Sequence, residues 1–265
     1  MKSSVKWSQL HRKRKQQTRK RLMWRNLFIA FSLSFLLAGN ACGRSLKVAV
    51  ASNFQQAAQI ISEAFAQQHG IAVDLIPGAS GVLYTQIQQG APYDVFLSAD
   101  MAYPRALSDR QLASTPKIYA VGQLVLWTPR RQLVSQTQTT TLVIADPQLA
   151  PYGRAAHAII SNQDDPNLRI VRAHNINHAF KLIDSGHADG GYIALSQLSF
   201  AQALGNATSA IEDFTVIAAE HHPSLEQGAT IVANSKQPKL AQKFLTFLLA
   251  PEQQAYLYRM GYAQQ

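Results

Sequence analysis

A chain of 265 residues, 47% of them hydrophobic, is long enough for one large domain or for two lobes, each around a real core. The formal charge of +10 would suit a nucleic-acid partner, but residues 1–26 hold ten Lys or Arg and no acid; removing those ten from the 25 basic residues leaves 15 against 15 acids. The body of the chain is therefore neutral, which argues against a nucleic-acid-binding face, and a single cysteine, Cys42, excludes an intrachain disulfide.

The basic block runs into "LFIAFSLSFLLAGNACG", an apolar stretch from Leu27 to Leu37 followed by small residues. Basic n-region, short apolar core and small residues form the pattern of a secretory signal, and the apolar core is about half the roughly 20 residues that a membrane span needs. Residues 1–44 are read as a signal peptide and the mature chain as exported. Cys42 sits where a lipoprotein's acylated cysteine would sit, although Gly39 stands where that motif usually has Leu, so a lipid anchor at Cys42 stays open. An internal start at Met23 also stays open.

After the leader, strand and helix patterns alternate. "LKVAVA" (46–51) reads as a buried strand and 54–70 as an amphipathic helix closed by Gly70. "IAVDLI" (71–76) is a second strand, followed by a helix beginning after Ser80 and a strand over 93–100. A helix over 102–112 precedes a long apolar strand over 117–129. The polar run "RRQLVSQTQTTT" (130–141) interrupts the rhythm, which restarts with a strand at 142–147 and a helix from Gly153. A strand over 168–171, a helix over 176–186, a strand over 190–195, a hydrophobic segment over 228–234 and a helical run over 238–260 complete the chain. This alternation predicts βα units on largely parallel sheets, and two cycles around a break predict two α/β lobes with a cleft between them.

Four strand-to-helix junctions stand out: "VAVASNFQQA" with Ser52 and Asn53, "IPGASGVLY" with Ser80, "IADPQLAPYGRAA" with Tyr152, and "VRAHNINHAF" with Asn175 and Ile176. Ligands of open α/β sheets bind at the carboxyl ends of strands. Helix starts there offer amide N–H groups and the positive end of a dipole. None of the four tips carries Lys or Arg, so an anion there would be met by neutral donors. Each junction taken singly also reads as ordinary N-capping by Ser or Asn.

"VAVASNF", "GASGVLYTQIQQGAPYDVFLSAD", "ADPQLAPYG" and "GYIALSQL", in this order and spacing, resemble the periplasmic molybdate-binding proteins of ABC importers, from about Leu46 to the C-terminus. The resemblance implies a type II, two-lobed periplasmic-binding-protein fold with the ligand cleft between lobes, lobe one spanning 45–126 and 229–265 and lobe two 127–228. It implies that molybdate or tungstate is bound as an oxyanion with no direct ligand to the metal and no cofactor. Ser52 would give its hydroxyl, Asn53 its amide, Ser80 hydroxyl and amide, and Tyr152 and Ile176 their amides. Some members place a ligand tyrosine at the position that matches Ala194, which puts the hydrogen-bond count in doubt. Tyr192, two residues away, does not align with that ligand. The implied protein is a periplasmic monomer that serves an ABC permease of the inner membrane and binds no nucleic acid.

The rival cargo is another tetrahedral oxyanion, sulfate or phosphate. Hydrogen phosphate calls for an acceptor that these junctions do not obviously offer. An enzyme on the same scaffold is the rival of a different class, yet no G-x-S-x-G elbow is present to activate Ser80 beside His157 or His174. Asp94 and Asp100 read as structural and helix-capping carboxylates. "EHHP" (220–223) reads as a loop rather than a metal site.

Overall fold

The computed structural model describes residues 45–129, 139–162, 165–209 and 211–264. The expected signal peptide with Cys42, and residues 130–138 of the polar break, lie outside the described residues.

The first cycle is β1 (Leu46–Ala51), a 3-10 turn (Ser52–Phe54), α1 (Gln55–His69), β2 (Val73–Gly78), α2 (Ser80–Gln88), β3 (Val95–Leu97) and α3 (Ala102–Asp109). Gly70 closes α1 in the left-handed region at φ 65°, its N–H donating to the Ala66 carbonyl. β2 runs two residues beyond the expected Ile76, through Pro77 and Gly78, pairing them with Val50 and Ala51. The proline is tolerated because β2 is an edge strand, where a missing N–H need not break a ladder.

The strand expected over 117–129 is two strands, β4 (Lys117–Val121) and β5 (Leu124–Trp127), and they enter different sheets. A continuous apolar run has no periodicity to show where it changes sheet. Gly122 marks the place, since a Cβ on it would lie 2.0 Å from the Tyr152 hydroxyl oxygen.

The chain continues through β6 (Thr140–Ala145), α4 (Pro151–Ile160), β7 (Leu168–Ala173), α5 (Ile176–Asp184) and β8 (Gly190–Ala194). Two elements without an expected counterpart follow, α6 (Leu195–Leu204) and the short β9 (Phe214–Val216). β10 (Glu226–Ile231) leads to α7 (Pro238–Leu248) and α8 (Pro251–Arg259), the expected single helical run being divided ahead of Pro251.

The strands form two five-stranded mixed sheets, ordered β2-β1-β3-β10-β4 and β7-β6-β8-β5-β9. In each, three parallel strands adjoin one antiparallel strand, β10 in the first and β5 in the second, that enters after the chain has changed sheets. This is the α/β, two-lobed architecture expected. Against the expected lobe limits of 126 and 229, β5 (124–127) pairs in the second sheet, and β10 pairs in the first sheet from 226. The two crossings pair with each other, the Gly122 N–H donating to the Leu225 carbonyl at 2.9 Å.

Each sheet has its own apolar core. Phe54, Phe65, Tyr119 and Phe244 are buried in the first, with Phe54 edge-on to Tyr119 at 4.7 Å between ring centroids. Trp127 anchors the second and stacks on Phe180 at 5.2 Å. Burying each such side chain contributes about 1.5–3 kcal/mol, enough to set each lobe as a rigid platform. Phe200 of α6 reaches into the first core, so this helix ties the lobes together beside their crossings.

Gly153, in the first turn of α4, is packed tightly against β6, since a Cβ there would stand 2.3 Å from the Ala145 carbonyl oxygen. Alanine normally favours a helix over glycine by roughly 1 kcal/mol. Gly153→Ala is nevertheless expected to destabilise the fold by about 1–3 kcal/mol, as overpacking does, read from urea unfolding midpoints; a stabilised variant would contradict this packing.

Candidate functional site

Ser52, Asn53, Ser80, Tyr152 and Ile176 come together around one cavity, which Ala51, Gly78, Ala79, Ala99, Ala150, Pro151 and Asn175 also line. The cavity lies at the carboxyl ends of β1, β2, β3, β6 and β7, at the starts of α2, α4, α5 and the 3-10 turn. About 220 Å³ of empty space, the part open to solvent included, is below the roughly 300–1,000 Å³ of pockets for drug-sized molecules. No lining residue is charged. The uncharged lining and its size suit a small anion. Among the described residues no group of three His, Cys, Asp or Glu could hold a metal ion.

The donors follow from the helix starts. Ser80 is the first residue of α2, Tyr152 the second of α4 and Ile176 the first of α5. Amides at these positions have no carbonyl one turn earlier to donate to. The serines do not act as N-caps: Ala79 and Ala51 occupy the cap positions, without side-chain cap bonds. Instead the Ser80 oxygen accepts from the Ala99 N–H at 3.0 Å, which leaves its hydroxyl hydrogen to donate elsewhere. Asn175 is a true N-cap, its side-chain oxygen accepting from the His178 N–H at 3.0 Å.

The remaining candidates separate from the cavity. Asp94 accepts from the Lys47 N–H at 2.9 Å and the Ser235 hydroxyl at 2.5 Å, bonds that tie strand ends together. Asp100 accepts from the Tyr103 N–H at the start of α3 and pairs with Arg154 of α4 across the cleft rim. His174 is exposed and stacks on His178, while His157 is exposed and bonds Ser161, so neither assembles with the buried Ser80. His221 is exposed and His222 half-buried, away from the cavity lining. Ala194 is buried, its N–H donating to the Gln197 side chain at 3.1 Å, and neither it nor Tyr192 is among the cavity-lining residues.

Contacts between the lobes surround the site. The Gly81 N–H donates to the Leu149 carbonyl at 2.9 Å, and the Tyr103 hydroxyl donates to the Gln148 carbonyl at 3.3 Å. On another side the Asn177 amide donates to the Gln55 side chain at 2.9 Å. Behind the cavity lie three buried phenols, Tyr119, Tyr152 and Tyr262. Burial raises the pKa of each above its ordinary 10.0, so all three stay neutral at working pH. Sequence reading missed this interior layer, because Gln227, which links two of the phenols, has no local motif and is 174 residues from its partner Asn53.

A neutral, donor-lined cavity between two α/β lobes defines a ligand-capturing binding protein. The profile of the family described as bacterial extracellular solute-binding protein matches residues 46–263. The molybdate-binding protein ModA of Rhodobacter capsulatus is 32% identical over 244 residues, covering 88% of this chain and 94% of that protein. ModA of Azotobacter vinelandii is 30% identical over 242 residues, covering 87% and 94%. The solved structure of the Azotobacter vinelandii periplasmic molybdate-binding protein matches with a TM-score of 0.73 at 30% identity, over 83% of this chain and 100% of that one. The chain belongs to the bacterial extracellular solute-binding proteins, which makes it a binding protein and not an enzyme.

The raised phenol pKa values fix the sign of the alkaline response. Between the unfolded value near 10 and the higher folded values, the unfolded chain loses protons that the folded chain keeps. Stability from these groups is therefore complete below pH 10 and lost as pH rises above it. Melting temperature should fall above about pH 10, and less steeply when Tyr119 or Tyr262 is replaced by Phe. A fall unchanged in the Phe variants would place its cause elsewhere.

Proposed function

We propose that this protein is exported by its leader to the periplasm and there captures molybdate, and with it tungstate, for an ABC importer. The observation that carries the reading is that five junction residues from both lobes line one small, uncharged cavity. Relatives named as molybdate-binding proteins, matched over nearly their whole length, support the choice of anion. Ser52 and Ser80 donate hydroxyls, and Asn53, Ser80, Tyr152 and Ile176 donate amides. The molybdenum is held through its oxygens alone, without a cofactor. The protein works as a monomer, and the anion bridges donors of both lobes so that binding favours the closed form, which the inner-membrane permease recognises.

Neutral donors suffice energetically. A hydrogen bond to a charged group is worth ~1.5–3 kcal/mol, so five to seven exceed an association cost of several kcal/mol. The upper part of that range leaves the ~8 kcal/mol that micromolar affinity requires. Sulfate shares the charge and the tetrahedral shape, so the spacing between donors of the two lobes is what separates a larger from a smaller oxyanion.

Calorimetric titration of the chain from Ser45 onward with molybdate, tungstate, sulfate and phosphate tests this directly. Micromolar or tighter binding of the first two, with sulfate far weaker, is expected; preferential sulfate or phosphate binding would change the cargo. Ser80→Ala should weaken molybdate binding by ~1.5–3 kcal/mol, roughly tenfold to a hundredfold. Asp94→Asn, whose bonds lie away from the cavity, should leave affinity unchanged. Wild-type affinity in Ser80→Ala would rule out this site.

A further inference from the structure

Gln227 lies where the two lobes and the two chain crossings meet. Its side chain is 0% exposed, at a bulge in β10 where the pairing with β4 shifts register between Gln227 and Gly228. Bulges re-aim side chains out of the regular alternation of a strand. The single Oε1 of Gln227 accepts from Asn53 Nδ2 at 3.0 Å and from the Tyr119 hydroxyl at 2.9 Å, both in the first lobe. Its Nε2 donates to the Tyr152 hydroxyl at 3.4 Å, in the second. Gly122 keeps this space open, because a Cβ there would press on the Tyr152 hydroxyl and stand 2.9 Å from Gln227 Nε2. Asn53 is held from its other side, where its carbonyl accepts from the Tyr262 hydroxyl at 3.3 Å.

We propose that Gln227 is a positioning residue for anion capture: it fixes the Tyr152 side chain, and with it the start of α4, in register with the Ser52–Asn53 junction across the crossings. The inference rests on the oxyanion reading of the cavity. Hydrogen bonds weaken steeply outside a narrow range of distance and angle, so donors on separate lobes serve one anion only if the lobes meet at a set depth. Two side-chain tethers run from the first turn of α4 to the first lobe. Arg154 reaches Asp100 at the rim, where its side chain is 36% exposed and the pair is screened by solvent. Tyr152 reaches Gln227, and by a second side-chain hydrogen bond Asn53, in the interior, where the phenol is buried. The interior tether is also the one attached to a cavity-lining residue whose amide is a proposed donor, so a displaced phenol would displace that donor.

The test compares wild type, Gln227→Met, Tyr152→Phe and the double variant. Molybdate affinity is read by calorimetry, dissociation by stopped flow, and ligand-free stability by urea unfolding. Each single variant should raise Kd about three- to tenfold, the range set by one buried hydrogen bond, chiefly through faster dissociation. The double variant should lose less than the product of the two single losses, because both substitutions remove the shared Gln227–Tyr152 bond. Tyr152→Phe keeps ring and volume, so the question stays answerable if Gln227→Met folds poorly. Unchanged Kd in Tyr152→Phe, losses that multiply in the double variant, or lowered stability with affinity intact would each overturn the role of Gln227. A wild-type chain that takes up no molybdate, tungstate or sulfate would overturn the oxyanion reading itself.

Discussion

The first turn of a helix cannot satisfy its own amides, and the molecule is arranged around that deficit. Four such turns converge on one small cavity, each delivered by the carboxyl end of a strand. In most proteins a capping side chain meets the need. Here Ala51, Ala79 and Ala150 stand at three of the four cap positions and make no side-chain cap bond, beside the cavity that all three residues line. The two sheets, their parallel strands and their rigid apolar cores serve to hold those helix starts still.

Charge is kept at a distance from this centre. Asp100 and Arg154 neutralise each other at the rim, and the phenols behind the cavity are held neutral by burial. A cavity without fixed charge binds an anion through oriented dipoles, whose strength depends on exclusion of water and on exact placement. It therefore gains selectivity from geometry, since a lysine would attract any anion of suitable charge. The same dependence on placement is why the interior contacts of Gln227 with Asn53, Tyr119 and Tyr152, behind the lining, are proposed to matter to binding.

Strand and helix alternation was legible because each lobe's elements carry strong periodicity, and Gly70 closes its helix in the left-handed conformation that its residue type favours. The junction positions of the five candidate residues were legible as well, because chain-local rules locate strand-to-helix boundaries. Other features were not. The uniform apolar run over 117–129 hid the change of sheet at Gly122, and α6 follows β8 without a polar turn to announce it. Whether Ser80 capped its own helix or turned its oxygen to the Ala99 amide could not be read from the spacing of the residues, since both uses suit a serine after a strand.

The sequence by itself determined the α/β class, the two cycles, the neutral body behind a basic N-terminal block, and the strand-to-helix junctions. These are properties of short segments, set by periodicity, composition and turn chemistry. Tertiary structure alone decided that the four junctions face one cavity, that Arg154 meets Asp100, and that a glutamine bulged from β10 spans both lobes. Such contacts join residues far apart in the chain, and no local rule of backbone geometry encodes which distant partners will share a buried hydrogen bond. They become definite only when two independently packed sheets are brought to a fixed separation.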